Sequence, residues 1–251
     1  MAARDTSTIV LFDVDGTLTP ARQRASPETE ACLQALKKKV VVGLVGGSDL
    51  VKINEQMSMG DDDVTKRYDY VFSENGLVAH KNGELIHKQD IAKYMGEDKL
   101  QKLINFALNE MSQLTLPSKR GTFVEFRSGM INVCPVGRSC SQAQRDEFAA
   151  YDKEHRVREA LVAKLRAEFP NDGFVFAIGG QISIDVYPEN WDKRYCLQQV
   201  EKDQFKTIYF FGDKTSPGGN DHEIFSDPRT LGYTVTSPAD TVEQITRLFL
   251  S

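Results

Sequence analysis

The chain has 251 residues, with 31 Lys and Arg against 36 Asp and Glu and a formal net charge of −5. That acidic balance argues against a nucleic-acid scaffold or a polybasic membrane binder. Its 40% hydrophobic and 27% charged residues are globular values, so bulk disorder is excluded and a core can form without staples. No apolar run approaches the ~18 residues of a membrane span, and Met1–Ser7 lacks the basic-then-apolar order of a secretory leader. Cys32, Cys134, Cys140 and Cys196 make no C-x-x-C pair, and His80, His87, His155 and His222 make no H-E-x-x-H. The expectation is reduced thiols in a cytoplasmic protein, without zinc or a disulfide framework.

Thr8–Phe12 is a short, β-branched apolar run and predicts a buried strand. Ser26-Pro27-Glu28 is a helix start, with Lys37-Lys38-Lys39 as its solvated end. Val40–Val45 predicts the second strand, Ser48 a cap for a helix carrying Leu50, Ile53 and Met57, Asp61–Asp63 a solvated loop, and Tyr70–Ser73 the third strand. This β-α-β-α-β order predicts a parallel sheet. The pattern then changes. Leu77–His80 and Glu84–Lys88 flank the hairpin signal Lys81-Asn82-Gly83. An amphipathic helix follows, with Leu100, Leu103, Ile104, Ala107, Leu108, Met111 and Leu114 on one face. Strands Thr122–Arg127 and Met130–Cys134, one polar helical stretch from Gln142 to Phe169, and strands Phe174–Ile178 and Ile182–Tyr187 complete an antiparallel α+β pattern. After Trp191 the βα alternation resumes to the end of the chain. The reading is an α/β core over residues 1–85 and 189–251, with an α+β insert over 86–188.

Four short segments carry chemistry. Asp13-Val14-Asp15-Gly16-Thr17 puts two carboxylates at the end of a buried strand, where sites of parallel sheets lie. Two acids there repel unless a cation is present, although an Asp-Gly turn alone would also fit. Val45-Gly46-Gly47-Ser48-Asp49 ends the next strand in small residues and a hydroxyl, suited to phosphate or to simple helix capping. Lys193 stands where the core resumes, and taken alone reads as a surface group. Phe210-Phe211-Gly212-Asp213 again ends an apolar strand in an acid, followed by Gly218-Gly219-Asn220-Asp221. Asp213 suits a hard cation, and Asp221 suits either a helix cap or support of the site.

In this order the segments resemble the four motifs of the haloacid dehalogenase (HAD) superfamily, and the insert resembles one of its cap domains. The resemblance sharpens over Asp13–Thr19, Val45–Leu50, Phe72–Leu77, Arg120–Arg127, Gly179–Ser183 and Trp191–Lys193, which are similar to the eukaryotic phosphomannomutase family. It runs from about Thr8 to the C-terminus. The fold it implies is a HAD-like Rossmannoid core with a parallel sheet, plus an α+β cap with an antiparallel sheet. The reaction it implies interconverts D-mannose 6-phosphate and α-D-mannose 1-phosphate, for GDP-mannose synthesis and glycosylation. The alternative is a HAD-type sugar-phosphate phosphatase.

The resemblance also implies roles. Asp13 is the nucleophile and Asp15 the acid/base, with Ser48 and Lys193 on the transferring phosphoryl group and Gly47 and Asp221 in support. Mg²⁺ is expected on Asp13, Asp15 (through its carbonyl) and Asp213, with a second cation near Phe225, Asp227 and Thr230. Arg22, Arg127, Arg138 and Arg145 are expected to bind sugar phosphates. Ser183 and Asp185, which share one face of a strand by alternation, are expected to meet sugar hydroxyls. A hexose 1,6-bisphosphate is the expected activator, a homodimer through the cap the expected assembly, and cap closure the expected means of keeping water from the phosphoenzyme.

Overall fold

β-branched and aromatic runs set the strands. The computed structural model describes residues 3–20, 23–60 and 62–251. In chain order the strands are Asp5–Phe12 (β1), Val40–Val45 (β2), Tyr70–Ser73 (β3), Val78–Lys81 (β4), Glu84–Lys88 (β5), Val124–Phe126 (β6), Ile131–Val133 (β7), Phe174–Gly179 (β8), Ser183–Pro188 (β9), Thr207–Gly212 (β10) and Leu231–Thr234 (β11). The chain forms two compact units, Met1–Lys88 with Asn190–Ser251, and Gln89–Glu189. No helix among the described residues is long and apolar enough to cross a membrane.

The first unit holds a seven-stranded sheet, ordered β11-β10-β1-β2-β3-β4-β5. β11, β10, β1, β2 and β3 run parallel, while β4 and β5 form the antiparallel edge hairpin. Its turn uses left-handed Asn82 (φ 51) and Gly83 (φ 87), as a two-residue hairpin requires. From Ile9 to Phe12, β1 is buried on both faces because its side chains alternate between two cores. Val10 and Phe12 join the cluster holding Leu33, Leu36, Ile53 and Phe211, whereas Ile9 and Leu11 join Phe72, Leu197 and Phe210. Helices Pro27–Lys37, Leu50–Met57 and Pro238–Ile245 contribute to the first cluster. Ser26 caps Pro27–Lys37 through Thr29 N.

The second unit holds an antiparallel sheet ordered β6-β7-β9-β8. Ile131, Val133, Ile184 and Val186 are buried on one face of it. Helix Glu97–Ser112 buries Leu100, Leu103, Ala107 and Met111, and Val157–Glu168 buries Leu161, Val162 and Leu165.

Several local expectations are corrected. Asp49, not Ser48, caps Leu50–Met57, its carboxylate accepting from Lys52 N at 2.9 Å, since a carboxylate also complements the helix dipole. Asp62 and Asp63 are not simply solvated: Asp62 pairs with Arg67, and Asp63 caps the short helix Val64–Arg67. Asp61 lies outside the described residues. The stretch from Gln142 is two helices, Gln142–His155 and Val157–Glu168, broken at Arg156 with φ 51. Leu108 is 42% exposed and Leu114 lies beyond the helix end. All four cysteines are free and buried.

Phe211 stacks between Phe12 and Tyr233, with ring centroids at 5.2 and 4.9 Å. Truncating a buried aromatic side chain removes its burial and leaves a cavity. Phe211→Ala is expected to lower stability by about 3–5 kcal/mol in urea unfolding. A loss below about 1 kcal/mol would mean that this stack does not hold the sheet.

Candidate active site

β1 and β10 are neighbours in parallel register, Phe12 opposite Phe211, and Asp13 N donates to Phe211 O at 2.9 Å. That pairing carries Asp13 and Asp213 to the same end of the sheet. Gly16 (φ 87) makes the turn after Asp15, and a Cβ there would strike the Asp213 carboxylate. The glycine of the first motif therefore has two causes, its left-handed backbone and the approach of a second strand's acid.

Asp13, Asp213 and Asp221 each bring a carboxylate oxygen within 4.8 Å of the others. Lys193 enters from the segment that follows the second unit, and Asp192 caps its turn. Its ammonium is 1% exposed, pairs with Asp13 and lies 2.5 Å from Asp221 Oδ1. Asp221 is fully buried, and its other oxygen accepts from Lys214 N at 3.0 Å. Burial opposes the charge on Lys193, yet Asp13 and Asp221 hold its pKa above the ordinary value. Burial pushes the Asp13 carboxyl up to about 6, with Lys193 opposing and Asp221 adding to the rise. Asp213 is raised by burial and by Asp221.

Three carboxylates thus cluster around one buried ammonium, with Lys214 also acting on Asp213, and Asp213 Oδ1 is buried with no hydrogen-bond partner among the described residues. Excess negative charge with an unused hard oxygen fits a divalent cation. Asp13 and Asp213 are the acids that can hold it, because both oxygens of Asp221 are engaged. The cleft beside them, about 170 Å³, is lined by residues including Asp15, Gly46, Gly47, Ser48, Gln56 and Asn220. Asp15 Oδ1 accepts from Gln56 Nε2 at 2.8 Å.

Every described core residue named for the reaction therefore lies in or beside one cleft. Arg22 falls outside the described residues. At the second cation position both oxygens of Asp227 are taken by Arg229, at 2.8 and 2.7 Å, and Thr230 Oγ1 donates to Ile224 O. The Arg229 guanidinium supplies positive charge beside these residues. Sequence reasoning missed Gln56. It is buried, and no signal in its own segment separates it from an ordinary helical glutamine.

In the second unit, the polar face of the sheet carries Glu125, Asn132 and Asp185 side by side on β6, β7 and β9. Arg127 pairs with Glu125, and Arg138 lies 3.1 Å from the same oxygen. Ser141 caps Gln142–His155 with a full capping box, and Arg145 Nη2 donates to Arg138 O at 3.1 Å. Ser183 and Asp185 sit on β9, the former buried and the latter half-buried. The three arginines are thus gathered on one unit.

The parallel-rich sheet, the separate antiparallel sheet and the acids at the strand ends define a chain of the HAD type. The solved structure of the Aspergillus fumigatus trehalose-6-phosphate phosphatase shares the fold, with a TM-score of 0.58 at 14% identity over 96% of this chain and 92% of that one. Residues 29–251 match the family described as eukaryotic phosphomannomutase. The chain is 56% identical to the Solanum lycopersicum phosphomannomutase over 250 residues, 100% of this chain and 97% of that protein. It is 54% identical to Homo sapiens phosphomannomutase 1 over 248 residues, 99% of this chain and 94% of that one. The chain belongs to the eukaryotic phosphomannomutase family.

Removing Lys193 would strand two buried carboxylates. Lys193→Met is expected to cost about 3–5 kcal/mol near neutral pH in the presence of a chelator. Without Lys193 to oppose it, burial raises the Asp13 carboxyl further above its unfolded value, so the folded state binds more protons and its deficit grows as pH rises. The gap to wild type in thermal unfolding should accordingly narrow from about pH 8 to about pH 5. A pH-independent gap would contradict this charge assignment.

Proposed function

We propose that this chain interconverts D-mannose 6-phosphate and α-D-mannose 1-phosphate by passing a phosphoryl group through Asp13. The observation that carries the proposal is the buried Asp13–Lys193–Asp221 cluster with Asp213 beside it, in a chain of this family. An Asp13 carboxylate oxygen attacks phosphorus of a hexose 1,6-bisphosphate; the new O–P bond makes an aspartyl-phosphate (a mixed anhydride) as the bond from phosphorus to the sugar oxygen breaks. Asp15 protonates that oxygen and later deprotonates the hydroxyl that takes the phosphoryl group back. Lys193, Ser48 and the Gly47 amide hold the transferring oxygens, while Asp221 keeps Lys193 charged. Mg²⁺ held by Asp13, the Asp15 carbonyl and Asp213 would offset the negative charge that otherwise keeps an anion from attacking an anion.

Arg127, Arg138 and Arg145, with Arg22, take the phosphate that is not being transferred, since guanidinium forks suit phosphate. Ser183 and Asp185 meet sugar hydroxyls. A sugar-phosphate phosphatase would use the same two acids and give its phosphoryl group to water. The gathered arginines and the family membership favour the mutase. The same reading includes a cytoplasmic enzyme serving GDP-mannose synthesis, supported by four free cysteines. It also includes self-association through the second unit, supported by exposed Leu108, Phe126 and Ile178.

Phosphorus NMR of α-D-mannose 1-phosphate with Mg²⁺ and a trace of glucose 1,6-bisphosphate tests the reaction. Conversion to mannose 6-phosphate with little inorganic phosphate is expected, and inorganic phosphate as the main product would make the enzyme a phosphatase. Asp13→Asn is expected to abolish both turnover and phosphoenzyme. A monomeric mass in light scattering would contradict self-association.

A further inference from the structure

On the polar face of the second unit, one buried side chain has no part in the scheme above. Asn132 lies on β7 between β6 and β9, and is 3% exposed. Its carboxamide Oδ1 accepts from Arg138 Nη1 at 3.0 Å, and its Nδ2 donates to Asp185 Oδ1 at 2.6 Å. Arg138 is gripped a second time, its Nε lying 3.1 Å from Glu125 Oε2. Asp185 is also confined from its far side, because a Cβ on Gly179 of β8 would collide with its carboxylate.

A buried polar group stays only where its hydrogen-bonding atoms are satisfied, and a fully satisfied network is rigid. An amide turns an acceptor to a cation and a donor to an anion without adding charge. A carboxylate at this position would repel Asp185, and an apolar side chain would release both neighbours. We propose that Asn132 is a positioning residue for hexose phosphate binding: it locks the phosphate-binding Arg138 and the sugar-binding Asp185 into one rigid pair. The inference rests on the reading of this face given under Proposed function. Its consequence is that phosphate and hydroxyl are recognised at a fixed separation.

Asn132→Asp tests this, being isosteric but replacing the donor to Asp185 with an acceptor. The charged and titratable groups on the strands around it include Asp185 and Tyr187 on β9, Glu125 and Arg127 at β6, Arg138, and Cys134 following β7. At about pH 8 two adjacent carboxylates repel, and KM for α-D-mannose 1-phosphate is expected to rise about tenfold with kcat within about threefold of wild type. At about pH 6 a shared proton restores a donor between them, and the ratio of variant to wild-type KM should fall towards one. Taking the ratio at each pH cancels the titration of the substrate phosphate. Asn132→Leu, which cannot titrate, should raise KM at both pH values. An unchanged KM, or a rise in Asn132→Asp that ignores pH, would overturn the proposal. Arg138→Ala and Asp185→Ala separate the two levels. If neither raises KM, the reading of this face fails; if both do and Asn132→Asp does not, the reading stands and the role of Asn132 falls.

Discussion

A lysine buried to 1% exposure against two acids governs the first unit. An isolated charge could not be buried at that depth, because desolvation outweighs what packing returns. The arrangement holds because each charge is the other's solvent. Asp13 keeps a cation beside it, Asp221 keeps that cation protonated, and Lys214 N satisfies the remaining oxygen of Asp221. Asp213 is left with an oxygen that no described residue uses. The cluster therefore has one buried ammonium built in, a second lysine, Lys214, beside Asp213, and a carboxylate oxygen left open to a cation.

This dependence ties chemistry to topology. Asp13 comes from the first strand, Lys193 from the segment after the insert, and Asp213 and Asp221 from beyond β10. The first unit is discontinuous, so the cluster can form only once the two stretches of chain have met in one sheet. Parallel pairing of β1 with β10 does this directly, since its register sets Phe12 beside Phe211 and hence one acid beside another. Phe12, Phe211 and Tyr233 stack across these same strands just before the acids. The strand pairing that builds the sheet thus also brings the acids to one end of it.

Much of this was legible in the sequence, and the limits have physical causes. β1 could be read because a strand buried on both faces is a continuous apolar run, and its two terminal acids are conspicuous against it. The hairpin at Asn82-Gly83 could be read because only a few residues tolerate left-handed backbone. Ser48 and Asp49 are both good caps, so choosing between them depended on where the helix enters, which propensity does not encode. Arg156 breaks its helix without a Gly or Pro to announce it. Gln56 and Asn132 were invisible for a different reason. Asp15 stands 41 residues from Gln56 and Asp185 stands 53 from Asn132, and an amide acquires its role from what the fold places beside it. Gly16 was legible as part of a motif, but its contact with Asp213 belongs to the tertiary structure.

The two units solve opposite electrostatic problems. In the first, acids outnumber cations around the site, and the balancing ammonium of Lys193 is concentrated and buried. In the second, arginines are half-exposed or exposed, and Glu125 is shared between Arg127 and Arg138. Exposed ion pairs are individually weak, and a carboxylate already among the guanidinium groups lessens their pull on an incoming phosphate. For the proposed mutase that weakness is useful. A bisphosphate that must present either end to Asp13 has to be held strongly enough to remain with the enzyme and loosely enough to turn. A charge grip moderated by Glu125 meets the second requirement, and a sheet that fixes Arg138 against Asp185 through one neutral amide meets the first.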